Sequence, residues 1–326
     1  MKTKAQISRI VTALGPLFGL LFVVALFSAS PEVRPYFLTG GNFKIILTQT
    51  VIVAIGALGM TLIIVSGGID LSVGSVVALT SVVAAKLVMA GVAPVWVLLG
   101  TLLVGGFIGL VNGAIVAGFR MMPFIVTLGM MGVVRGSAKW LGNNQTVTPP
   151  ESSVNQWMAL TKPQELLPLP TGVWVAIGLA ILMAVVLRHS VFGRHIFAVG
   201  SNEATARLCG IRVAWLKMRV YALAGLFFGL AGLMQFSRLT QGDPSVAIGL
   251  ELDIIAAVVI GGASLSGGAG SILGSMVGAL MMAVLRNGSN QAGWPTYGQE
   301  IIIGIVIVLA VGLDKWRQVR AARRTG

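Results

Sequence analysis

The amino-acid sequence predicts an all-α fold: a polytopic membrane helix bundle of about ten transmembrane helices, some interrupted by Gly-rich breaks. Three observations carry that expectation. Of the 326 residues, 56% are hydrophobic and only 10% are charged, whereas a soluble domain carries about 25% charged residues. The mean hydropathy is +0.92, which excludes a disordered chain as well as an ordinary water-soluble enzyme, because disorder goes with few apolar residues. Gly contributes 43 residues, about twice its usual share of roughly 7%, as expected where membrane helices approach through small side chains.

At roughly 20 apolar residues per crossing, the apolar segments fall at 10–29, 43–66, 72–91, 94–117, 123–141, 173–187, 219–236, 252–265, 271–286 and 299–313. The first follows Lys2, Lys4 and Arg9 and ends at Ser28-Ala29-Ser30, flanks that a signal peptide shares. Its length and the spans behind it read as an uncleaved first helix. Only Val65-Ser-Gly-Gly-Ile-Asp-Leu-Ser-Val-Gly-Ser75 separates the second from the third. Residues 142–172 hold five of the twelve prolines and read as an external loop with a short interfacial helix around Trp157. Residues 188–218 form a basic hydrophilic stretch, Gly261-Gly-Ala-Ser-Leu-Ser-Gly-Gly268 divides the eighth segment from the ninth, and 314–326 is a basic tail. The chain reads as one transmembrane domain, 1–326.

The net charge of +13 is concentrated before the first apolar run, in the 188–218 stretch and after the last run. Basic residues in short flanking loops mark the cytoplasmic side. Both termini and 188–218 are therefore expected inside, and 142–172 outside. No interleaving of aromatic and basic residues of the kind that stacks on bases is present, so nucleic acid is not the expected partner; membrane lipid is. The single Cys209 has no partner for an internal disulfide and reads as an inert small residue.

The two Gly-rich breaks share five of eight positions when aligned 194 residues apart. Unwound backbone in a membrane is tolerated where it is buried in protein or lines a wet cavity, and paired breaks in two halves of a chain point to a translocation path. A second reading stands beside that one: Asp70 and Ser264 simply cap the helices that follow. Small residues at four-residue spacing recur at Gly105-Gly109-Gly113, Gly132-Gly136, Gly225-Gly229 and Gly270-Gly274-Gly278, which reads as bundle packing. Arg135, Lys139, Arg238, Glu251, Asp253 and Arg286 are charges near or inside spans. They are functional candidates, although snorkelling or a helix dipole accounts for each near a span end.

Two His in one basic stretch and one Cys offer neither zinc spacing nor a nucleophilic triad, so no enzyme is expected. No Gly-Lys dipeptide occurs, hence no phosphate-binding loop; any ATP is bound by a partner, and no cofactor of the chain's own is expected. Between Asn202 and Leu208 the pattern suits one short helix ended by Gly210, a plausible docking surface for a cytoplasmic partner.

With these residues in view, the sequence resembles the permease subunits of ribose-type ATP-binding-cassette importers, the monosaccharide (carbohydrate uptake 2) family. The resemblance rests on Gly67-Gly-Ile-Asp-Leu-Ser-Val-Gly-Ser75, Pro123-Phe-Ile-Val-Thr-Leu-Gly129 with Arg135-Gly136, and Phe192-Gly-Arg194 through Gly200, Asn202-Glu203 and Ala206-Arg-Leu-Cys-Gly-Ile211. It continues through Glu251-Leu-Asp-Ile-Ile-Ala-Ala-Val-Val-Ile-Gly-Gly262, Ser264-Leu-Ser-Gly-Gly268 and Gly270-Ser271. The matches run from about residue 43 to 313, and their order and spacing are specific.

The resemblance implies a permease of the bacterial inner membrane that imports ribose or a similar pentose or hexose. Its implied partners are a cytoplasmic ATPase and a periplasmic sugar-binding protein, and it pairs with itself or with a paralogous permease. The coupling element would comprise Asn202, Glu203, Ala206, Arg207 and Gly210. The family often has Glu-Ala-Ala at positions 204 to 206, where this chain has Ala204-Thr205-Ala206 after Glu203, so an acidic role at 204 is not carried over. Sugars are uncharged and polyhydroxylated, and their path calls for amide and hydroxyl groups. Gly67, Gly68, Asp70, Ser72, Asn112, Thr127, Ser264 and Ser266 are the expected path or gate residues, with Gln49, Thr50 and Gln235 as further polar groups within spans. The alternatives are a branched-chain amino-acid-type permease, an ion-coupled secondary carrier and, last, a membrane-embedded enzyme.

Overall fold

The computed structural model describes residues 2–150 and 169–322; the expected helix around Trp157 lies outside the described residues, as does the end of the tail. Among the described residues there are thirteen helices and no strand, only an isolated bridge between Val147 and Gly242. The helices are α1 (Lys2–Ala29), α2 (Arg34–Phe37), α3 (Gly40–Val65), α4 (Val73–Met89), α5 (Pro94–Gly118), α6 (Pro123–Leu141) and α7 (Thr171–His189). After them come α8 (Val191–Ser201), α9 (Glu203–Leu208), α10 (Val213–Leu239), α11 (Leu250–Ile260), α12 (Ile272–Gln291) and α13 (Thr296–Ala322). Each of the ten apolar segments falls on its own long helix or, for 252–265, on α11. Five helices (α3, α5, α7, α10 and α12) are long and apolar enough to cross a membrane by length and composition. The chain is a multi-pass membrane protein.

The core is built around α3 and α10. α3 is buried without interruption from Thr50 to Val65, the pattern of a helix enclosed by others. It packs against α7, α10, α11 and α12, while α10 packs against α3, α4 and α5. The α5–α10 contact is made backbone to backbone. A Cβ on Gly105 or Gly109 would collide with the carbonyls of Gly225 and Tyr221, and one on Gly229 with the carbonyl of Thr101. Gly274 and Gly278 likewise lie against the carbonyls of Gly261 and Ala257 on α11. Three of the four small-residue stripes therefore pack inside the bundle. Gly132 and Gly136 on α6 have nothing within 4 Å, so that stripe does not. Phe18, Phe22, Leu103, Phe107, Ile181 and Val308 point outward, a surface suited to lipid rather than water.

Two elements differ from expectation. The 188–218 stretch is helical through most of its length: Ser190 Oγ accepts the N–H of Gly193 and starts α8, and Ile196 and Val199 bury its inner face. The eighth apolar segment is only the eleven-residue α11, because Gly249 before it (φ 81°) and Gly262 after it (φ 93°) both leave helical space. At about 1.5 Å per residue, α11 is too short to cross a bilayer alone.

Candidate functional site: the joined breaks and the polar cavity

The first break begins where α3 closes on itself. Gly67 (φ 82°) donates its N–H to the Ile64 carbonyl at 2.9 Å, and Gly68 donates to that of Ile63 at 2.9 Å. This double closure needs a left-handed residue, which glycine supplies without a Cβ clash. α11 ends the same way, with Gly262 donating to Val259 at 2.9 Å and Ala263 to Val258 at 3.1 Å. By helix ends the two breaks thus correspond at Gly67 and Gly262, 195 apart. By the turns that follow they correspond at Asp70 and Ser264, 194 apart: Ser72 N–H bonds Asp70 Oδ1 at 2.8 Å and Ser266 N–H bonds Ser264 Oγ at 3.2 Å. Asp70 and Ser264 therefore shape their own turns, and the cap of α12 is Ser271, whose Oγ accepts from Gly274.

The first break is tied into a buried polar network. Asp70 is 1% exposed. Its Oδ1 accepts the Ser72 hydroxyl at 2.6 Å, and its Oδ2 accepts Asn112 Nδ2 from α5 at 3.2 Å. Asn112 Nδ2 also donates to Ser72 Oγ at 3.0 Å, and Thr127 Oγ1 on α6 accepts the Leu71 N–H at 3.1 Å. Tyr221 on α10 donates its hydroxyl to the Ile69 carbonyl at 3.4 Å. The structure thus brings Gly67, Gly68, Asp70, Ser72, Asn112 and Thr127 together. These bonds hold the first break against α5, α6 and α10, while Asn112 Oδ1, also buried, accepts no hydrogen bond from a described residue.

The second break, which carries Ser264 and Ser266, meets the first directly. Gly268 donates its N–H to the Val65 carbonyl at 2.9 Å. Gly200, near the end of α8, closes the junction: a Cβ there would strike the Val65 carbonyl and come within 2.6 Å of Gly268 N. Two residues later, at Asn202, the chain turns into α9. Asn202 Oδ1 caps it by accepting the Thr205 N–H at 2.9 Å. Gly210 (φ 85°) ends it, donating to Arg207 while Ile211 donates to Ala206, both at 3.1 Å. Glu203 pairs with Arg207 at 2.8 Å and with Lys217 at 2.6 Å. The Lys217 ammonium first, and then the Arg207 guanidinium, hold its carboxyl below the usual range. Ala206 is buried, and Leu208, which sequence reasoning did not single out, is 89% exposed at the tip. A basic cavity of about 560 Å³ lies beside α9, lined in part by Arg120, Arg207, Arg212 and Lys217.

At the other ends of α3, α10 and α12 a cavity of about 390 Å³ opens, lined by Gln49, Gln235, Arg238, Asp253, Arg286 and Asn290 among apolar neighbours. From Ile52 on its wall to Val65 at the break is about 20 Å of helix. Asp253 is 3% exposed, and its Oδ2 accepts both Nε and Nη2 of Arg286 at 2.7 Å. The pair joins α11 to α12, so Asp253 has a stronger partner than the helix dipole. Glu251 does cap, accepting the Gly249 N–H at 3.2 Å. Arg135 on α6 donates from Nη1 to the carbonyls of Pro244 and Val246, at 2.9 and 2.6 Å, and fixes the loop that roofs this cavity. Of the polar positions named from sequence, Gln49 and Gln235 line the cavity; Thr50 bonds its own helix at Ile46, and the break residues lie elsewhere. Asn290 was not anticipated, and its signal was its place one turn past Arg286.

Residues 42–311 match the model of a family described as "Branched-chain amino acid transport system / permease component". The chain is 42% identical over 306 residues to the ribose import permease protein RbsC of Escherichia coli (strain K12), covering 93% of each chain. It is 37% identical to RbsC of Bacillus subtilis (strain 168), covering 94% of each, and 36% identical to the L-arabinose ABC transporter permease protein AraH of Azospirillum brasilense, covering 92% of this chain and 88% of that one. No solved structure matches significantly.

Proposed function

The chain belongs to this family of transport-system permease components, and from that premise we infer its task. It is the transmembrane permease subunit of an ATP-binding-cassette importer for a monosaccharide, a transport component rather than an enzyme. The family description mentions branched-chain amino acids, but the relatives that cover nearly the whole chain are permeases named for ribose and L-arabinose. They favour a sugar over an amino acid, with D-ribose as the first substrate to test. An importer of this kind works with an ATPase and a binding protein. The finer reading makes the ATPase cytoplasmic and the binding protein periplasmic, both termini cytoplasmic, 142–172 external, and a second copy or a paralogue the other half of the path.

One observation carries the mechanism: Gly200 seats the end of α8 on the junction of the two breaks, immediately before α9. We assign α9, with Asn202, Glu203, Ala206, Arg207 and Gly210, as the element that the ATPase moves, its exposed Leu208 tip offering an apolar anchor. The path must have two arrangements, and ATP-driven closure of the partner shifts them only through contacts that differ between the two. Displacement of α9 reaches Val65 and Gly268 without an intervening side chain. Gly67, Gly68, Asp70, Ser72, Asn112, Thr127, Ser264 and Ser266 then act as the inner gate, held shut by their own hydrogen bonds.

The test is reconstitution of the chain with its ATPase and binding protein in proteoliposomes, measuring ATP hydrolysis and uptake with D-ribose, D-allose and L-arabinose. Stimulation by one sugar, dependent on the binding protein, is expected. Uptake that follows an ion gradient without any ATPase refutes it.

A further inference from the structure

The cavity at the far ends of α3, α10 and α12 has a composition that neither packing nor topology explains. Its volume of about 390 Å³ is in the range of about 300–1,000 Å³ typical of small-molecule sites. Its walls are apolar at Ile52, Val53, Met282 and Ala283 and along the 246–250 segment, and between them it presents amides from Gln49, Gln235 and Asn290 beside Arg238 and the Asp253–Arg286 pair. Both Arg286 nitrogens bond the same carboxylate oxygen, Oδ2, and Asp253 Oδ1 accepts no hydrogen bond from another described residue although it is buried. A charged acceptor left in that condition is costly. Arg238 reaches the same space with no hydrogen bond or ion pair to a described residue.

We propose that this cavity, inside a single copy of the chain, is a hydroxyl-reading site for an uncharged monosaccharide, with Asp253, Arg286 and Arg238 setting its specificity. The inference rests on the sugar-importer reading and deepens it. A sugar hydroxyl both donates and accepts, and vicinal hydroxyls match a carboxylate and a guanidinium standing side by side. The apolar walls take the C–H face of the ring. The lining carries two guanidinium groups against one carboxylate, so charge alone does not exclude an anionic sugar; the neutral class follows from the sugar-importer reading, and ribonate is the competitor that tests it. The Asp253–Arg286 pair also ties α11 to α12, and through them the site reaches the second break.

The experiment uses the full transporter, chain plus ATPase plus binding protein, in proteoliposomes. Asp253→Asn and Arg286→Gln are each expected to lower uptake of the imported sugar about tenfold or more, the loss of one hydrogen bond to a charged group, and to change its uptake ratio among D-ribose, D-allose and L-arabinose. Should either variant not assemble, a second readout decides. Ile248 lines the cavity and is exposed, so Ile248→Cys in a Cys209→Ser parent reports on occupancy through its rate of maleimide labelling. Millimolar D-ribose, or whichever of the three sugars that parent imports, should slow labelling severalfold, and D-ribonate should not. Unchanged sugar ratios in both variants, labelling indifferent to a sugar that the complex does import, or protection by ribonate instead overturns the proposal. If the unaltered complex imports no monosaccharide but a solute of another class, the sugar reading itself falls, and this site with it.

Discussion

Replacing Gly200 by alanine tests whether α8 transmits motion by backbone contact. Gly200 lies inside α8, where alanine is favoured over glycine by about 1 kcal/mol, so on local grounds the change stabilises. The packing says otherwise. A Cβ would overlap the Val65 carbonyl oxygen and stand 2.6 Å from Gly268 N and 2.9 Å from the Val65 carbonyl carbon. Those separations are roughly 1 Å short of the optimum for unbonded heavy atoms. All three obstacles are backbone, and two of them are the partners of the Gly268–Val65 hydrogen bond. Relief therefore requires α8 to back away or that bond to break, a cost of about 1–3 kcal/mol. Gly200→Ala should lower the midpoint of thermal unfolding in detergent, and in proteoliposomes it should leave sugar-stimulated ATP hydrolysis in excess of uptake. Gly178→Ala, on a helix face with nothing within 4 Å, is the matched control and should be neutral or mildly stabilising. If Gly200→Ala matches that control in both stability and coupling, the contact does not carry the motion.

The other expectations are shorter. Gly67→Ala meets only the Gly200 Cα at 3.8 Å, so its cost comes from φ 82° alone, about 1–2 kcal/mol; Gly68→Ala runs into the Tyr221 hydroxyl at 2.6 Å and should cost more, as denaturation midpoints will show. Glu203 is held below the ordinary carboxylate range, so its ion pairs contribute fully above about pH 4.3 and are lost as pH falls through the lowered value. Its side chain is 42% exposed, which limits the contribution to about 1 kcal/mol or less. The stability gap between the native chain and Glu203→Gln should stay constant from neutral pH down to that range and then close. Thr61→Val removes a 2.7 Å bond to Ser275 between α3 and α12 and should cost about 1 kcal/mol. Arg135→Gln frees the Pro244 and Val246 carbonyls and should reduce uptake more than ATP hydrolysis; equal losses of both would argue against a role in placing the cavity roof.

What was legible from the sequence follows from where its information is local. A run of about 20 apolar residues declares a crossing whatever surrounds it, so α3, α5, α7, α10 and α12 were readable directly. α9 was readable as well, because Asn202 and Gly210 are caps that act within one turn. α8 was missed because charge at Arg194 and His195 masked a buried face of Ile196 and Val199. α11 was overextended at its C-terminal end, to 265 instead of Ile260, because Gly261 and Gly262 do not weaken an apolar count. The network of Asp70, Ser72, Asn112 and Thr127 joins the first break to α5 and α6, and no spacing rule joins residues 40 or more positions apart. The Asp253–Arg286 pair stayed hidden for the same reason: each charge near a helix end has a sufficient local account, and only the fold reveals that the two meet.

The glycine seam between α5 and α10 bears on how this protein is made. Gly109 faces Tyr221 and Gly105 faces Gly225, so the two sides of the seam are separated by more than a hundred residues of chain. During synthesis α5 enters the bilayer long before its counterpart exists, its bare backbone groove open to any small-residue helix that arrives first. Contacts between distant segments form slowly and expose a chain to mispairing. Gly132-Gly136 on α6 comes next in sequence and is such a competitor, yet the finished bundle leaves it unpacked. Correct assembly of this transporter therefore includes a choice of partner, made inside the membrane, that the ribosome delays until residue 229 has emerged.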